Sequence, residues 1–189
     1  VGPSGGQNGP AHFHILPFIE ENNVFQNAGG AVWKNGAYGN VINVFLDPRD
    51  LSAPGHVYKN WLATTNYPVN WMVFKEGKTR LAAIPDGTSN TLMFAQRLQM
   101  CNGHPTAWGY PSIYTWAPMF AYYSEGKFQS APTQANCDPA RPQAIGRDIL
   151  TALCDGSVRA ISPDIRPSTW YYLTDPADGN ALHEDDNPN

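Results

Sequence analysis

The three cysteines allow the widest choice of chemistry in this chain, because a thiol can ligate a metal, act as a nucleophile or form a disulfide. They are Cys101, Cys137 and Cys154, and no two of them are close in sequence, which disfavours a zinc site. Cys101 and Cys137 lie 36 positions apart and bracket a segment with little regular pattern. A bond between them would close a long loop and contribute roughly 3 to 4 kcal/mol. We expect this disulfide, with Cys154 as a buried, inert thiol; a pairing of Cys101 with Cys154 is the alternative.

Catalysis by a hydrolytic triad is not indicated. The "GxSxG" nucleophile motif is absent, and Ser89 in "DGTSNT" has no local base to activate it. His12 and His14 are two positions apart, which would place them on one face of a strand. None of the five histidines has a carboxylate or a cysteine at the short spacing typical of zinc sites. We therefore expect a protein that is not an enzyme and that has no cofactor.

Several aspartates lie in oxygen-rich loops of the kind that can hold calcium. None of these loops matches the twelve-residue pattern closed by a bidentate glutamate. Asp-Gly pairs also occur because turns favour them, with the carboxylate accepting hydrogen bonds from nearby backbone N–H groups. We prefer this turn interpretation, and Asp175 with Asp178 in "TDPADGN" is the better calcium candidate.

Large aromatic side chains are concentrated in "AWGYPSIYTWAPMFAYY", between the first two cysteines. Flat rings supply contact area at low entropic cost, so this block is a candidate ligand or partner surface. A loop-rich domain also uses such rings to build its core, and we rank the core interpretation first. The surface candidates are Trp108, Tyr110, Tyr114, Trp116, Tyr122 and Tyr123.

The composition excludes some partners. Twelve basic residues against 16 acidic ones give a formal net charge of −4, and the basic residues are scattered. Nucleic acids and anionic membrane surfaces need a concentrated positive patch. No run approaches the roughly 18 apolar residues that span a bilayer. The chain begins at Val1 in a Gly- and Pro-rich stretch with no signal core, so we expect any targeting segment or anchor to lie upstream.

Short elements and turns are predicted throughout, in keeping with 17 glycines and 17 prolines. Spaced apolar residues predict a short helix from about Leu16 or Pro17, ended by "NAGG". Residues 41–46 are predicted to form a short strand or helix, and residues 61–74 an extended segment. Two strands joined through "PDGTSN" are predicted over residues 79–100.

The clearest element is a β-hairpin at Asp155-Gly156 in "ILTALCDGSVRAIS". Polar and apolar side chains alternate over residues 157–162, which predicts a half-buried second strand. We expect a short helical or turn segment to follow and to lay Trp170 and Tyr171 back on the sheet.

Together these elements predict an α+β fold of mainly antiparallel strands with short helices, in a single domain over residues 1–189. Within it, residues 1–10 are predicted to be a linker, residues 102–136 an aromatic-rich insertion, and residues 183–189 a flexible acidic tail.

Six segments carry a resemblance to a known family: "HFHILPFIEENNVF", "NVFLDPRD", "TNYPVNW", "IPDGTSNTLMFAQR", "LCDGSVRAISPDI" and "WYYLTDPADG". Within them, "DGTSNT" with the following "MFA" and the later "CDGSVR" are specific in combination. In that order, over residues 11–182, they resemble the prepilin-like family of planctomycete bacteria, a family of unknown function with the tail motif H-x9-DG. The resemblance implies an upstream leader that a peptidase cleaves, followed by a long apolar helix. It also implies a head like that of type IV pilins and type II secretion pseudopilins, in which that helix packs against an antiparallel sheet.

Three positions depart from the pattern of that family. Ile145 stands where the family has a histidine ten positions before the Asp-Gly pair. Asp47 replaces the cysteine of "FLCPSD", and Gln96 replaces the glutamate after "MFA". These departures disfavour an enzymatic site shared with the family and favour a structural role.

The resemblance thus implies an exported, non-catalytic structural or assembly subunit, located in the periplasm or at the cell surface. Its expected partners are other pilin-like subunits or secretion and cell-envelope proteins, with membrane contact only through the missing N-terminal helix and no nucleic acid. The alternative is a secreted ligand-binding module that recognises glycan or calcium through its aromatic loops.

Overall fold

The computed structural model describes residues 8–75, 80–112, 114–122 and 126–180. The described chain combines short helices with mostly antiparallel strands, so the prediction of an α+β fold is confirmed. The α-helices are α1 (Ala11–Ile15), α2 (Asn22–Asn27), α3 (Trp71–Phe74) and α4 (Pro167–Thr174). The 3₁₀ helices are Leu16–Phe18, Lys34–Gly39, Asn43–Phe45, Pro54–His56 and Leu81–Ala83.

A five-stranded sheet with the strand order β11-β10-β4-β3-β7 forms the centre of the fold. Its neighbouring strands are antiparallel except for the parallel pair β3 and β7. Three two-stranded sheets accompany it: β1 with β2 and β5 with β6 are antiparallel, and β8 with β9 is parallel. The strands are β1 (Val57–Tyr58), β2 (Leu62–Ala63), β3 (Val69–Asn70), β4 (Leu92–Ala95), β5 (Met100–Cys101), β6 (His104–Pro105), β7 (Met119–Phe120), β8 (Gln129–Ser130), β9 (Gln143–Ala144), β10 (Ile149–Leu153) and β11 (Val158–Ile161).

The predicted hairpin is present as β10 and β11. The backbone N–H of Leu153 donates to the carbonyl of Ser157 at 2.9 Å, so the loop that this bond closes has three residues, Cys154, Asp155 and Gly156, and not only Asp-Gly. Gly156 has a φ of 86°, and the Asp155 carboxylate accepts hydrogen bonds from the backbone N–H and the hydroxyl of Ser157, at 2.9 and 2.7 Å. A glycine in the left-handed region closes such three-residue hairpin loops, so the local sequence specifies this turn.

The N-terminal helix differs from its prediction. Helix begins at Ala11 rather than at Leu16 or Pro17, tightens into the 3₁₀ helix Leu16–Phe18, and stops where Glu20 adopts a φ of 66°. A second helix, α2, then starts at Asn22 and ends before "GG", as expected. The left-handed backbone at Glu20 breaks the helical hydrogen-bond pattern, so two short helices replace one.

Other predictions hold only in part. Residues 41–46 contain the 3₁₀ helix Asn43–Phe45, and the first of the two strands expected around "PDGTSN" is the 3₁₀ helix Leu81–Ala83. Residues 61–74 form two short strands and then α3. That helix starts because the Asn70 side chain accepts a hydrogen bond from the backbone N–H of Met72, at 2.9 Å, as an N-cap.

Two apolar clusters make up most of the core. One gathers the N-terminal helices around Trp108, which has no exposed surface. The other lies between α4 and one face of the central sheet, called the inner face here, to which Ile149 and Ile161 contribute as paired residues. Trp170 packs into this second cluster, as expected. Tyr171 does not: it is 52% exposed, because neighbouring helix positions point in different directions.

Substitutions of Trp170 and Tyr171 test which face of α4 packs against the sheet. Trp170→Ala should lower the free energy of unfolding by about 3 to 5 kcal/mol, because the ring is 4% exposed and lies 5.1 Å from that of Phe128. Tyr171→Ala should change it by no more than about 0.5 kcal/mol, because that side chain is largely exposed. Urea unfolding of both variants measures the difference, and equal losses would contradict this placement of α4.

Candidate functional site

The predicted disulfide is confirmed. Cys101 at the end of β5 is bonded to Cys137, with the two Cα atoms 5.6 Å apart. Both cysteines are buried and pack with Leu98 and Ile145. The bond therefore ties the end of the aromatic-rich insertion to the strand that precedes it. Cys154 is free and buried, also as predicted; burial, together with the nearby Asp155 carboxylate, raises the pKa of its thiol to about 11.

The five aromatic surface candidates that the structure describes do not form one surface. Trp108 is not available as a surface candidate: its ring lies in the N-terminal core, in agreement with the interpretation ranked first, and its indole N–H donates a hydrogen bond to the carbonyl of Asn40 at 2.9 Å. Tyr122 lies apart, with its ring 5.3 Å from that of Trp71. Tyr123 lies outside the described residues. The core interpretation therefore holds for Trp108 and also for Phe120, which is 1% exposed and packs in the second apolar cluster.

Three of the remaining candidates do come together. The rings of Tyr110 and Tyr114 lie 5.5 and 6.2 Å from that of Trp116, and Tyr58 of β1 joins them at 5.3 Å. The Trp116 N–H lies 3.2 Å from His104 Nδ1, which ties that ring to the cluster. Tyr114 is 56% exposed. Three of the six candidates therefore lie in one cluster, in which Tyr114 is exposed and Tyr110 and Trp116 are partly buried.

The two calcium candidates act as turn-stabilising acceptors. One Asp175 oxygen accepts from the N–H of Ala177 at 3.0 Å, and one Asp178 oxygen accepts from the N–H of Asn180 at 2.7 Å. Asp86 holds the same loop by accepting from two of its backbone N–H groups. Among the residues that the structure describes, no group of three or more His, Cys, Asp or Glu side chains is placed to hold a metal ion.

A buried polar hub, missed by sequence reasoning, connects the loop "FLDPRD" to the chain after β4. Asp47 is at its centre, with its side chain 3% exposed. Arg49 donates to both of its oxygens, at 3.0 and 2.6 Å, and the Gln96 side chain donates to one of them at 2.7 Å. The hydrogen bonds from Arg49 are the main reason that the pKa of Asp47 lies below its ordinary value. Asp47 is therefore ionised and saturated with donors.

Asn66 joins the two aspartates of that loop. Its side-chain oxygen accepts from the N–H of Asp47 at 2.8 Å, while its amide donates to Asp50 at 2.6 Å and to the carbonyl of Arg97 at 2.9 Å. Asp50 also accepts from the N–H of Gln99 at 2.7 Å. These hydrogen bonds hold the chain on either side of Arg97 against the loop, so the carboxylates serve as structural acceptors.

Arg97 extends the hub into the aromatic-rich insertion. Its guanidinium is almost fully buried and donates to the carbonyl of Met119 at 2.8 Å and to that of Thr115. The planar fork of arginine suits several acceptors at once. The sequence signal for the hub was the cluster of polar residues in "FAQRLQ", directly after an apolar strand.

The three positions that depart from the pattern of the resemblance all make contacts inside the fold. Asp47 and Gln96 contact each other, because the Gln96 amide donates to the Asp47 carboxylate. In the pattern of the resemblance the carboxylate is at position 96, whereas in this chain it is at position 47. Ile145 packs against the disulfide instead of contributing a polar group.

An apolar groove of about 490 Å³ opens between α1 and the other face of the central sheet, called the outer face here. His12 lines it and is fully buried; its Nε2–H donates to the carbonyl of Tyr67 at 2.8 Å. Burial lowers the pKa of His12 to about 4, so the ring is neutral at pH 7. His12 and His14 were expected on one face of a strand. They lie on a helix instead, where residues two positions apart point in different directions. The groove is also lined by Ile15, Ile19, Val44, Phe45, Phe94, Leu150, Ala152 and Val158.

The family described as "Protein of unknown function (DUF1559)" matches residues 33–168, well over half of the chain. The chain belongs to this family. The matched range contains the hub, the disulfide and the hairpin, whereas α1 and the Asp175–Asp178 loop lie outside it. No curated protein and no solved structure is significantly similar to the chain. Within the described ranges, no helix combines the length and the hydropathy that a membrane span requires.

The thiol count gives a direct test of the cysteine assignments. Without reductant, the native protein should not react with a thiol reagent at pH 8, because Cys154 is buried and its pKa is raised to about 11. Denaturation without reductant should expose one thiol, and denaturation after reduction should expose three. Three reactive thiols in the unreduced, denatured protein would show that the disulfide is absent.

The contact between positions 47 and 96 predicts a strong effect of a single added charge. Gln96→Glu should lower the free energy of unfolding by at least about 2 kcal/mol at pH 7, because it buries a second carboxylate against Asp47. The native state would then hold the proton of the new carboxyl more tightly than the unfolded chain. The loss of unfolding free energy should therefore shrink as the pH falls toward about 4.3, the ordinary pKa of a glutamate carboxyl.

A double-mutant cycle separates this effect from a general loss of packing. Asp47→Cys/Gln96→Glu should be more stable than the sum of the two single changes predicts, because the charge repulsion is gone. Gln26→Glu, at an exposed position, is the matched control and should change stability by no more than about 0.5 kcal/mol. Additive effects at positions 47 and 96 would contradict the hub.

Proposed function

We propose that this protein is a non-catalytic structural or assembly subunit, similar to a pilin or pseudopilin, that is exported and held in the periplasm or at the cell surface. The observation that carries the proposal is the outer face of the central sheet, which is apolar and open. This surface suits an apolar partner, whereas the carboxylates of the hub are engaged in hydrogen bonds within the fold.

The outer face lacks the polar side chains that a solvated sheet face carries. Val158 pairs with Ala152, and Ala160 pairs with Leu150, so these four apolar residues lie side by side. Alternation over residues 157–162 predicts a half-buried strand, yet Val158 is 69% exposed and Ala160 is also exposed. Contiguous exposed apolar surface of this kind marks interaction sites, so this face is suited to a covering element.

The proposed occupant is the apolar helix that the resemblance implies upstream of the head. Helix α1 forms one wall of the groove through His12 and Ile15, so the chain enters the described fold beside this face. An α-helix is about 10 Å wide, close to the usual spacing between a sheet and a layer packed on it. A helix on the outer face would give the sheet a second layer, as α4 does on the inner face.

The disulfide supports export. Disulfides persist in the periplasm, at cell surfaces and outside the cell, and are rare in the reducing cytosol. The proposed partners are other pilin-like subunits or secretion and cell-envelope proteins, with membrane contact only through the upstream helix. No cofactor and no nucleic acid enter this proposal.

Photo-cross-linking of the encoded precursor in its own host tests the proposal. A photoreactive phenylalanine derivative at position 158 should cross-link to the upstream helix or to a neighbouring pilin-like subunit, because this position lies on the open face. The same residue at position 51 is the matched control: Leu51 is apolar and 86% exposed, and it does not line the groove.

Two results would count against the proposal. One is a precursor that carries only a cleaved secretory signal, with no apolar helix of roughly 20 residues. The other is equal cross-linking from positions 158 and 51, which would indicate random encounters and no docking face.

A further inference from the structure

A cleft of about 500 Å³ lies on the side of the sheet that α4 covers, away from the outer face. It opens between α4, the start of α3 and the end of β7, with Met72, Tyr122, Trp170, Tyr171 and Asp175 among its lining residues. Clefts of this size, mostly apolar with a few polar groups, are the usual form of small-ligand sites. We propose that this cleft binds a neutral saccharide. The proposal goes beyond the assembly function and does not rest on it.

Aromatic rings held by their neighbours form the walls of the cleft. The ring of Tyr122 lies edge-on to Trp71 with centroids 5.3 Å apart, and the ring of Trp170 packs on Phe128 at 5.1 Å. Tyr171, which is half exposed, adds a ring at the rim. Trp170 is 4% exposed and faces mostly into the core, so Tyr122 and Tyr171 supply the flat apolar surface, at little entropic cost, that suits the C–H face of a sugar ring.

The polar groups of the cleft are mainly acceptors. The Tyr171 hydroxyl donates to one Asp175 oxygen at 3.1 Å, and the other Asp175 oxygen accepts from the backbone N–H of Ala177. The hydroxyl proton of Tyr171 is thus used within the protein, while its oxygen and the carboxylate keep free lone pairs. The exposed Ser168 hydroxyl can donate or accept. A ligand here must bring its own donors, as sugar hydroxyls do.

The charge of Asp175 and the volume of the cleft restrict the class of ligand further. Asp175 is the one ionisable carboxylate among the described residues that line the cleft, and it disfavours acidic sugars. A single ammonium group would satisfy the carboxylate but would leave most of the 500 Å³ and the ring walls unused. A neutral saccharide uses both the rings and the acceptors.

Titration of the purified chain tests the assignment. The probes are neutral tetrasaccharides of glucose, N-acetylglucosamine, mannose and galactose, and binding is followed by tryptophan fluorescence because Trp170 lines the cleft. At least one probe should give saturable binding. Tyr171→Ala should weaken that binding about tenfold or more, and Asp175→Asn should weaken it less, because an amide oxygen still accepts.

Tyr114→Ala is the matched control, because Tyr114 is exposed to a similar degree, 56%, but lies in the other aromatic cluster. It should leave binding unchanged. Thermal melts of the variants confirm folding. Lack of binding by every neutral probe, equal losses in the Tyr171 and Tyr114 variants, or binding of polylysine alone would each overturn the proposal. Cross-linking at position 158 probes the outer face and not this cleft. The assembly proposal and the saccharide proposal can therefore fail independently.

Discussion

The amide of Asn66 is the contact on which the rest of the fold depends. It accepts from the backbone of Asp47 and donates to Asp50 and to the carbonyl of Arg97, all within the protein interior. A buried polar group that loses its partner costs about 1 to 3 kcal/mol, and more when the partner is charged. Each member of this hub therefore fixes the position of the others, and the loop "FLDPRD" can have only one placement relative to β4.

The hub also sets the position of both candidate surfaces. Gln96 and Arg97 follow β4 directly, so the hub fixes the end of the strand whose Phe94 lines the groove on the outer face. Arg97 holds the backbone near Met119, and the next residue, Phe120, lines the cleft on the inner side. Four residues after Arg97, the disulfide closes the insertion. A small set of hydrogen bonds thus helps to place an apolar, open face on one side of the sheet and an aromatic cleft on the other.

Features encoded by neighbouring residues could be predicted from the sequence. The hairpin follows from Asp155-Gly156. The disulfide joins residues 36 positions apart, and the sequence favoured it only because the two cysteines bracket a segment rich in Pro and Gly; the pairing of Cys101 with Cys154 stayed open. The hub could not be predicted, because its members are far apart: Asn66 reaches Asp50 across 16 positions, and Gln96 reaches Asp47 across 49. The burial of Trp108 likewise depends on a carbonyl 68 positions away. The alternation in β11 predicted a half-buried strand, but no local pattern reveals that its apolar positions lie on an open face.

Amide hydrogen exchange compares the isolated chain with the assembled or membrane-bound precursor and tests the docking face most directly. The account predicts that the amides of β11 and α1 exchange more slowly in the precursor, while those of α4 beside the cleft do not change. Equal exchange of β11 in the two forms would show that nothing covers the outer face and would contradict the proposed role in assembly.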